Sequence, residues 1–124
     1  MSKKILLIDD EELIVKSLSM LLEKCGYHTY VSKTGKDAVI MFEEEDFDLI
    51  ISDIRMPGMN GIEAVKEIIQ IAKNKKKDKP PIIFITGYAS KENEEEAMKL
   101  GPSEYIHKPF DIKELVSKVQ KALK

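Results

Sequence analysis

Three short runs constrain what this 124-residue chain can fold into: Ile5-Leu6-Leu7-Ile8, Phe47-Asp48-Leu49-Ile50-Ile51 and Ile82-Ile83-Phe84-Ile85. Such apolar runs suit strands covered on both faces, because successive side chains of a strand point to opposite sides. Each run is followed by a few polar residues and then by a helical period. After the first come Asp9, Asp10, Glu11 and Glu12, then Ile14, Leu18, Leu21, Leu22 and Cys25 on one stripe, with Gly26 as the stop. After the second comes Asp53, just past the strand end. The breakers Pro57, Gly58, Asn60 and Gly61 follow. Asn60 and Glu63 stand at capping-box spacing, and the helix they open is expected to turn Ile62, Val65, Ile69 and Ala72 inward. After the third run come Thr86 and Gly87. Ser90 then caps a helix to Leu100 with acidic first turns and little apolar surface: Ala97, Met98 and Leu100.

Two further strands are weaker. Residues 27–32 are mixed in polarity, as suits a sheet edge. Thr34 caps the helix after them, which carries Ala38, Met41 and Phe42. Tyr105-Ile106-His107 is a short fifth strand that exits into Lys108-Pro109-Phe110. Asp111 and Glu114 repeat the capping-box spacing before a last helix with Ile112, Leu115, Val116, Val119 and Leu123 on one stripe. The five lysines of 73–79 read as a solvated loop, and Cys25 as a small core residue at a helix end. Strand and helix therefore alternate five times. The fold class is α/β: one doubly wound (βα)5 domain over 1–124, a parallel sheet covered by helices on both faces.

Composition narrows the function. Twenty lysines and arginines stand against 22 aspartates and glutamates, a net charge of −2, and nothing in that balance suggests whole-surface binding of nucleic acid. A lone cysteine can form neither an internal disulfide nor a cysteine-pair zinc site. Apolar segments are too short for a signal peptide or a membrane span, so a cytoplasmic location is expected. Gly35-Lys36 resembles the end of a phosphate-binding loop, but Tyr30 and Asp37 break that pattern.

In an open parallel sheet all strands end at one edge, where ligands bind. The residues leaving that edge are Asp9 and Asp10, Asp53, Thr86 and Lys108. Three carboxylates in one crevice repel each other unless a cation joins them, and an all-oxygen set suits Mg²⁺. A metal, a hydroxyl and an ammonium around a carboxylate make a site for phosphoryl transfer, with Asp53 as the nucleophile that becomes an aspartyl phosphate.

The motifs ILLIDDE, SDIRMPGMNG, FITGYA and YIHKPF, in that order and spacing, resemble those of response-regulator receiver domains, the phosphoacceptor modules of two-component signalling. The resemblance covers essentially the whole chain. It implies a flavodoxin-like fold with strand order 2-1-3-4-5. By position, Asp53 matches the phosphoacceptor, Asp10 the direct metal ligand and Asp9 the acid that holds metal through water. Arg55 would offer its backbone carbonyl to the metal. Thr86 matches the hydroxyl residue that moves onto the phosphoryl group, Lys108 the lysine that pairs with it, and Tyr105 the aromatic that turns inward with Thr86. The Lys108-Pro109 peptide is expected to be cis. Arg55 and Tyr88 occupy the positions that influence phosphoryl lifetime in receivers, and both are bulky.

The implied donor is a sensor histidine kinase or a histidine phosphotransfer protein. Phosphorylation would switch the 90–123 face toward a downstream target, a separate output domain or a homodimer. The only catalysis expected is of the chain's own phosphorylation and dephosphorylation. A degenerate receiver that binds without phosphorylation is the main alternative. A metal-dependent phosphohydrolase that forms an aspartyl phosphate fits less well: it commonly has Asp-x-Asp-x-Thr after the first strand, where this chain has two adjacent aspartates. A flavin-binding protein would need a hydroxyl- and glycine-rich loop where four acids stand. No output domain is read after the last helix, so the chain is expected either to act alone or to be the receiver of a longer regulator.

Overall fold

The computed structural model describes residues 2–87 and 90–124. Five strands alternate with five helices: β1 (Lys4–Ile8), α1 (Glu12–Lys24), β2 (His28–Ser32), α2 (Gly35–Glu44), β3 (Leu49–Asp53), α3 (Gly61–Asn74), β4 (Ile82–Thr86), α4 (Lys91–Met98), β5 (Glu104–His107) and α5 (Ile112–Ala122). All neighbours pair in parallel, in the order β2-β1-β3-β4-β5. The expected architecture is therefore present, with the polar strand β2 at one edge.

The pleat explains why the central strands are apolar throughout. Leu6, Ile8, Ile50, Ile82 and Phe84 face one core, with Phe42 of α2 and Ile62, Val65 and Ile68 of α3. Ile5, Leu7, Leu49, Ile51, Ile83 and Ile85 face the other, with Leu18 and Leu22 of α1 and Leu115, Val116 and Val119 of α5. Every residue of β3 and β4 is buried. A polar side chain between Leu49 and Ile51 or between Ile82 and Ile85 would meet one of these cores and lose its hydration.

Several local readings hold and some shift. Thr34 caps α2 by accepting from the Asp37 amide. Asn60 and Glu63 form both bonds of a capping box at the start of α3. Ser90 caps α4 through the Asn93 amide. Asp111 caps α5 through Lys113 rather than Glu114. On α3 the buried residues are Gly61, Ile62, Ala64, Val65, Ile68 and Ala72, while Ile69 is half-buried, one position off the expected stripe. Cys25 is exposed rather than in the core. It sits at the C-cap of α1, where Gly26 turns the chain at φ +94° and Tyr27 packs against the core instead. On α4 only Ala97 is buried, so that helix has the least apolar anchorage of the five.

The lysine-rich loop is not merely solvated. Lys75 donates to the Glu43 carbonyl at the end of α2, and Lys77 pairs with Asp46. Lys79 donates to the carbonyls of Leu100 (2.6 Å) and Gly101 (3.1 Å), just past α4. A cation there meets the negative end of the helix. Lys79→Met keeps the aliphatic stem but removes both bonds. Amide hydrogen exchange should then accelerate at residues 98–101 and stay unchanged in α1, with a global stability loss of about 0.5 kcal/mol. Unchanged exchange at 98–101 would show that Lys79 does not hold the end of α4.

Candidate functional site

Asp53 is the last residue of β3, not a residue beyond it. The ladder runs two residues further than the apolar run suggests: Asp53 stands opposite Ile85, and the next amide, of Ile54, donates to the Ile85 carbonyl. At the other end Phe47 and Asp48 precede the strand, and the Asp48 carboxylate accepts from the Lys4 amide. Asp53 is thus held by sheet hydrogen bonding rather than by a loop. The chain then turns so closely that α3 begins against it. The Gly61 amide donates to the Ile54 carbonyl, and a Cβ at Gly61 would lie 1.8 Å from the Asp53 carbonyl oxygen. Only glycine fits there. Ser52 donates its hydroxyl to the same Asp53 carbonyl.

Asp9 follows β1 directly and is fully buried. Its amide donates to the Ser32 carbonyl, and its Oδ1 accepts from the Glu11 amide. Its Oδ2 is buried with no hydrogen-bond partner among the described residues. Asp10 is exposed. One carboxylate oxygen from each of Asp9, Asp10 and Asp53 lies within 4.8 Å of the others. Lys108 arrives from the end of β5, where its amide donates to the Thr86 carbonyl and its peptide to Pro109 is cis. Its Nζ lies 2.6 Å from Glu11 Oε1, 3.1 Å from Asp53 Oδ2 and 3.3 Å from Asp9 Oδ2.

Thr86 ends β4, the strand beside Asp53, and is buried. Tyr105 stands opposite Phe84 in β5. Its ring is half-buried against the core, and its hydroxyl is buried with no hydrogen-bond partner among the described residues. Arg55 lies on the loop after β3 with an exposed side chain. Tyr88 lies outside the described residues. The fold thus brings Asp9, Asp10, Asp53 and Lys108 together in one crevice, with Thr86 on the adjoining strand end. Glu11 was missed as a site residue because acids at a helix start are common. The signal for it was a third acid directly after the pair at the strand exit.

Electrostatics follow from this packing. Burial pushes the Asp53 carboxyl up to about 6, the Asp9 charge adds to the rise, and Lys108 opposes it. Burial also raises Asp9, against the Glu11 amide and Lys108. Burial alone would lower Lys108, but Glu11, Asp9 and Asp53 outweigh it and hold the ammonium above its ordinary range. One lysine does not neutralise four carboxylates. The orphan Asp9 oxygen and the all-oxygen donor set fit a hard divalent cation such as Mg²⁺.

The family model of the response regulator receiver domain matches residues 5–120. The chain belongs to this family. Among solved structures, a CheY-like receiver domain protein from Methanospirillum hungatei JF-1 is 31% identical, with a TM-score of 0.90 over 99% of this chain and 94% of that one. The chemotaxis protein CheY4 of Vibrio cholerae is also 31% identical, with a TM-score of 0.86 over 99% of this chain and 100% of its own. A response regulator from Burkholderia pseudomallei is 25% identical, with a TM-score of 0.80 over 97% of this chain and 72% of that one; its structure holds a phosphorylated aspartic acid, a calcium ion and citrate. A receiver of this type takes its place in two-component signalling.

The raised Asp53 carboxyl makes a prediction for the metal-free fold. Its folded pKa near 6 exceeds the ordinary 3.8, so ionised Asp53 opposes folding. That penalty is absent below about pH 3.8, grows as the pH rises, and is complete above about 6. In chelator at pH 7, Asp53→Asn should stabilise the protein by about 1–2 kcal/mol, allowing for solvent screening in an open crevice. Urea unfolding should show the gain at pH 7 and little of it near pH 4. Equal stability at pH 7 would mean that the crevice tolerates the charge.

Proposed function

We propose that the chain is a Mg²⁺-dependent phosphorylation switch with Asp53 as the phosphoacceptor. The observation that carries this reading is the setting of Asp53. It is a buried carboxylate paired to Lys108 at 3.1 Å, beside an Asp9 oxygen with no hydrogen-bond partner among the described residues. The phosphorylated aspartic acid and calcium ion in the Burkholderia pseudomallei relative support it.

A carboxylate oxygen of Asp53 attacks the phosphorus of a phosphohistidine on a sensor histidine kinase or histidine phosphotransfer protein. The P–O bond forms as the P–N bond breaks, and the imidazole leaves with the electron pair. Asp9, Asp10, Asp53 and the Arg55 carbonyl would hold Mg²⁺, which when bound supplies positive charge to the phosphoryl oxygens. Lys108 contributes a second positive charge, and the Thr86 hydroxyl donates a hydrogen bond to a phosphoryl oxygen. Thr86 moves to make that bond, and Tyr105 follows it inward. The 90–123 face then prefers a different partner, whether a downstream target, an output domain or a second copy. The thin anchorage of α4 supports a rearrangement there. Arg55 and Tyr88 shield the acyl phosphate from water and lengthen its life. The switch acts in the cytoplasm without binding nucleic acid or membrane; no described helix is long and apolar enough to cross a bilayer.

Intact mass after incubation with Mg²⁺ and acetyl phosphate tests this directly. One added phosphoryl group is expected on the native chain, and none without Mg²⁺ or in Asp53→Asn. If neither a phosphoryl nor a beryllofluoride adduct forms on the folded chain, the phosphoacceptor reading fails in favour of a phosphorylation-independent binding module.

A further inference from the structure

A lysine ammonium has three N–H donors. Around Lys108 Nζ stand three carboxylate oxygens, from Glu11, Asp53 and Asp9, all within 3.3 Å. Two of the donors are bonded, to Glu11 Oε1 and Asp53 Oδ2, and the ammonium faces Asp9 Oδ2 as an ion pair without a hydrogen bond, so a phosphoryl oxygen arriving on Asp53 competes with Glu11 for the ammonium. The three are not equally placed. Asp9 and Asp53 are buried and belong to the cation-binding set. Glu11 lies outside that set, and its side chain is 53% exposed. It can turn into water with little loss, as an exposed ion-pair partner does. It also makes the shortest of the three contacts, 2.6 Å.

We propose that Glu11 is a positioning residue that draws the Lys108 ammonium toward itself in the unphosphorylated crevice and yields it to the phosphoryl group. The inference rests on Asp53 as phosphoacceptor. The exchange is between hydrogen-bond partners, and no covalent bond is made or broken in it. Glu11 acts on the crevice in two separable ways. Its amide orients Asp9 through Oδ1, and its carboxylate engages Lys108. Only the second depends on the side chain, so Glu11→Gln leaves the first in place. Because Glu11 competes with the phosphoryl group for the ammonium, it weakens the phosphorylated state relative to the free one. Its neighbour Glu12 is a natural control: it has the same charge and the same helix start, but pairs with Lys33 at 2.9 Å.

Beryllofluoride, which mimics the phosphoryl group, is the probe. Titration at saturating Mg²⁺, followed by fluorine NMR, should show about threefold tighter binding for Glu11→Gln than for the native chain. Glu12→Gln should differ little from native. In the metal-free protein the Lys108 ammonium nitrogen signal should shift in Glu11→Gln and not in Glu12→Gln, a signature that simple loosening of the helix start would not produce. Unchanged or weaker beryllofluoride binding by Glu11→Gln, beside normal binding by the native chain, would overturn this inference alone. Equal tightening by both variants would also overturn it, reducing Glu11 to general charge. If the native chain binds no beryllofluoride, the phosphoacceptor reading falls and this inference with it.

Discussion

The ammonium of Lys108, set among the carboxylates of Asp9, Glu11 and Asp53, is the interaction on which the rest of the structure depends. It joins the exits of β1, β3 and β5, bringing together Glu11 and Lys108, which are 97 positions apart. It also leaves the crevice short of positive charge. Like charges brought out of water raise their own pKa values, and Asp53 and Asp9 both show that rise. A fold that keeps such a crevice gives up stability there, and its three carboxylates form a group that could hold a cation.

The sheet makes this possible. β3 and β4 are buried at every position and cannot shift register without sending apolar side chains the wrong way. Asp53 is therefore fixed to within the tolerance of a ladder hydrogen bond. Gly61 then lets α3 begin against the Asp53 backbone, where no side chain would fit. By contrast α4 is held by one buried alanine, a serine cap and the Lys79 contacts beyond its end. A rigidly held carboxylate beside a lightly held helix suits a switch, because local charge at one can shift populations at the other.

Most of this was legible from residue order. Apolar runs marked the strands, and their exits marked the crevice, because parallel topology puts all exits on one edge. The residues that escaped depend on contacts between elements. Cys25 lies at a helical spacing that points to the core, but the helix stops at Lys24 and Tyr27 takes the place. Ile68 and Ile69 are adjacent and chemically identical, so only the packing against β3 and β4 selects Ile68. The lysines at 75, 77 and 79 look like a solvated stretch because their partners lie 21 to 32 residues away. Glu11 looked like a helix-start acid, and it is one; that its carboxylate also reaches Lys108 follows from β5 lying on the same sheet edge.

The most direct test of the account is the stability of the chain as a function of Mg²⁺ at constant ionic strength. If the crevice is a cation site left short of positive charge, urea unfolding at pH 7 should show stability rising once Mg²⁺ exceeds its dissociation constant, by about 1.4 kcal/mol for each further tenfold increase. The rise should be lost in Asp9→Asn. Stability that is the same in chelator and in millimolar Mg²⁺ would contradict the account, because three carboxylates so placed would then be holding no cation.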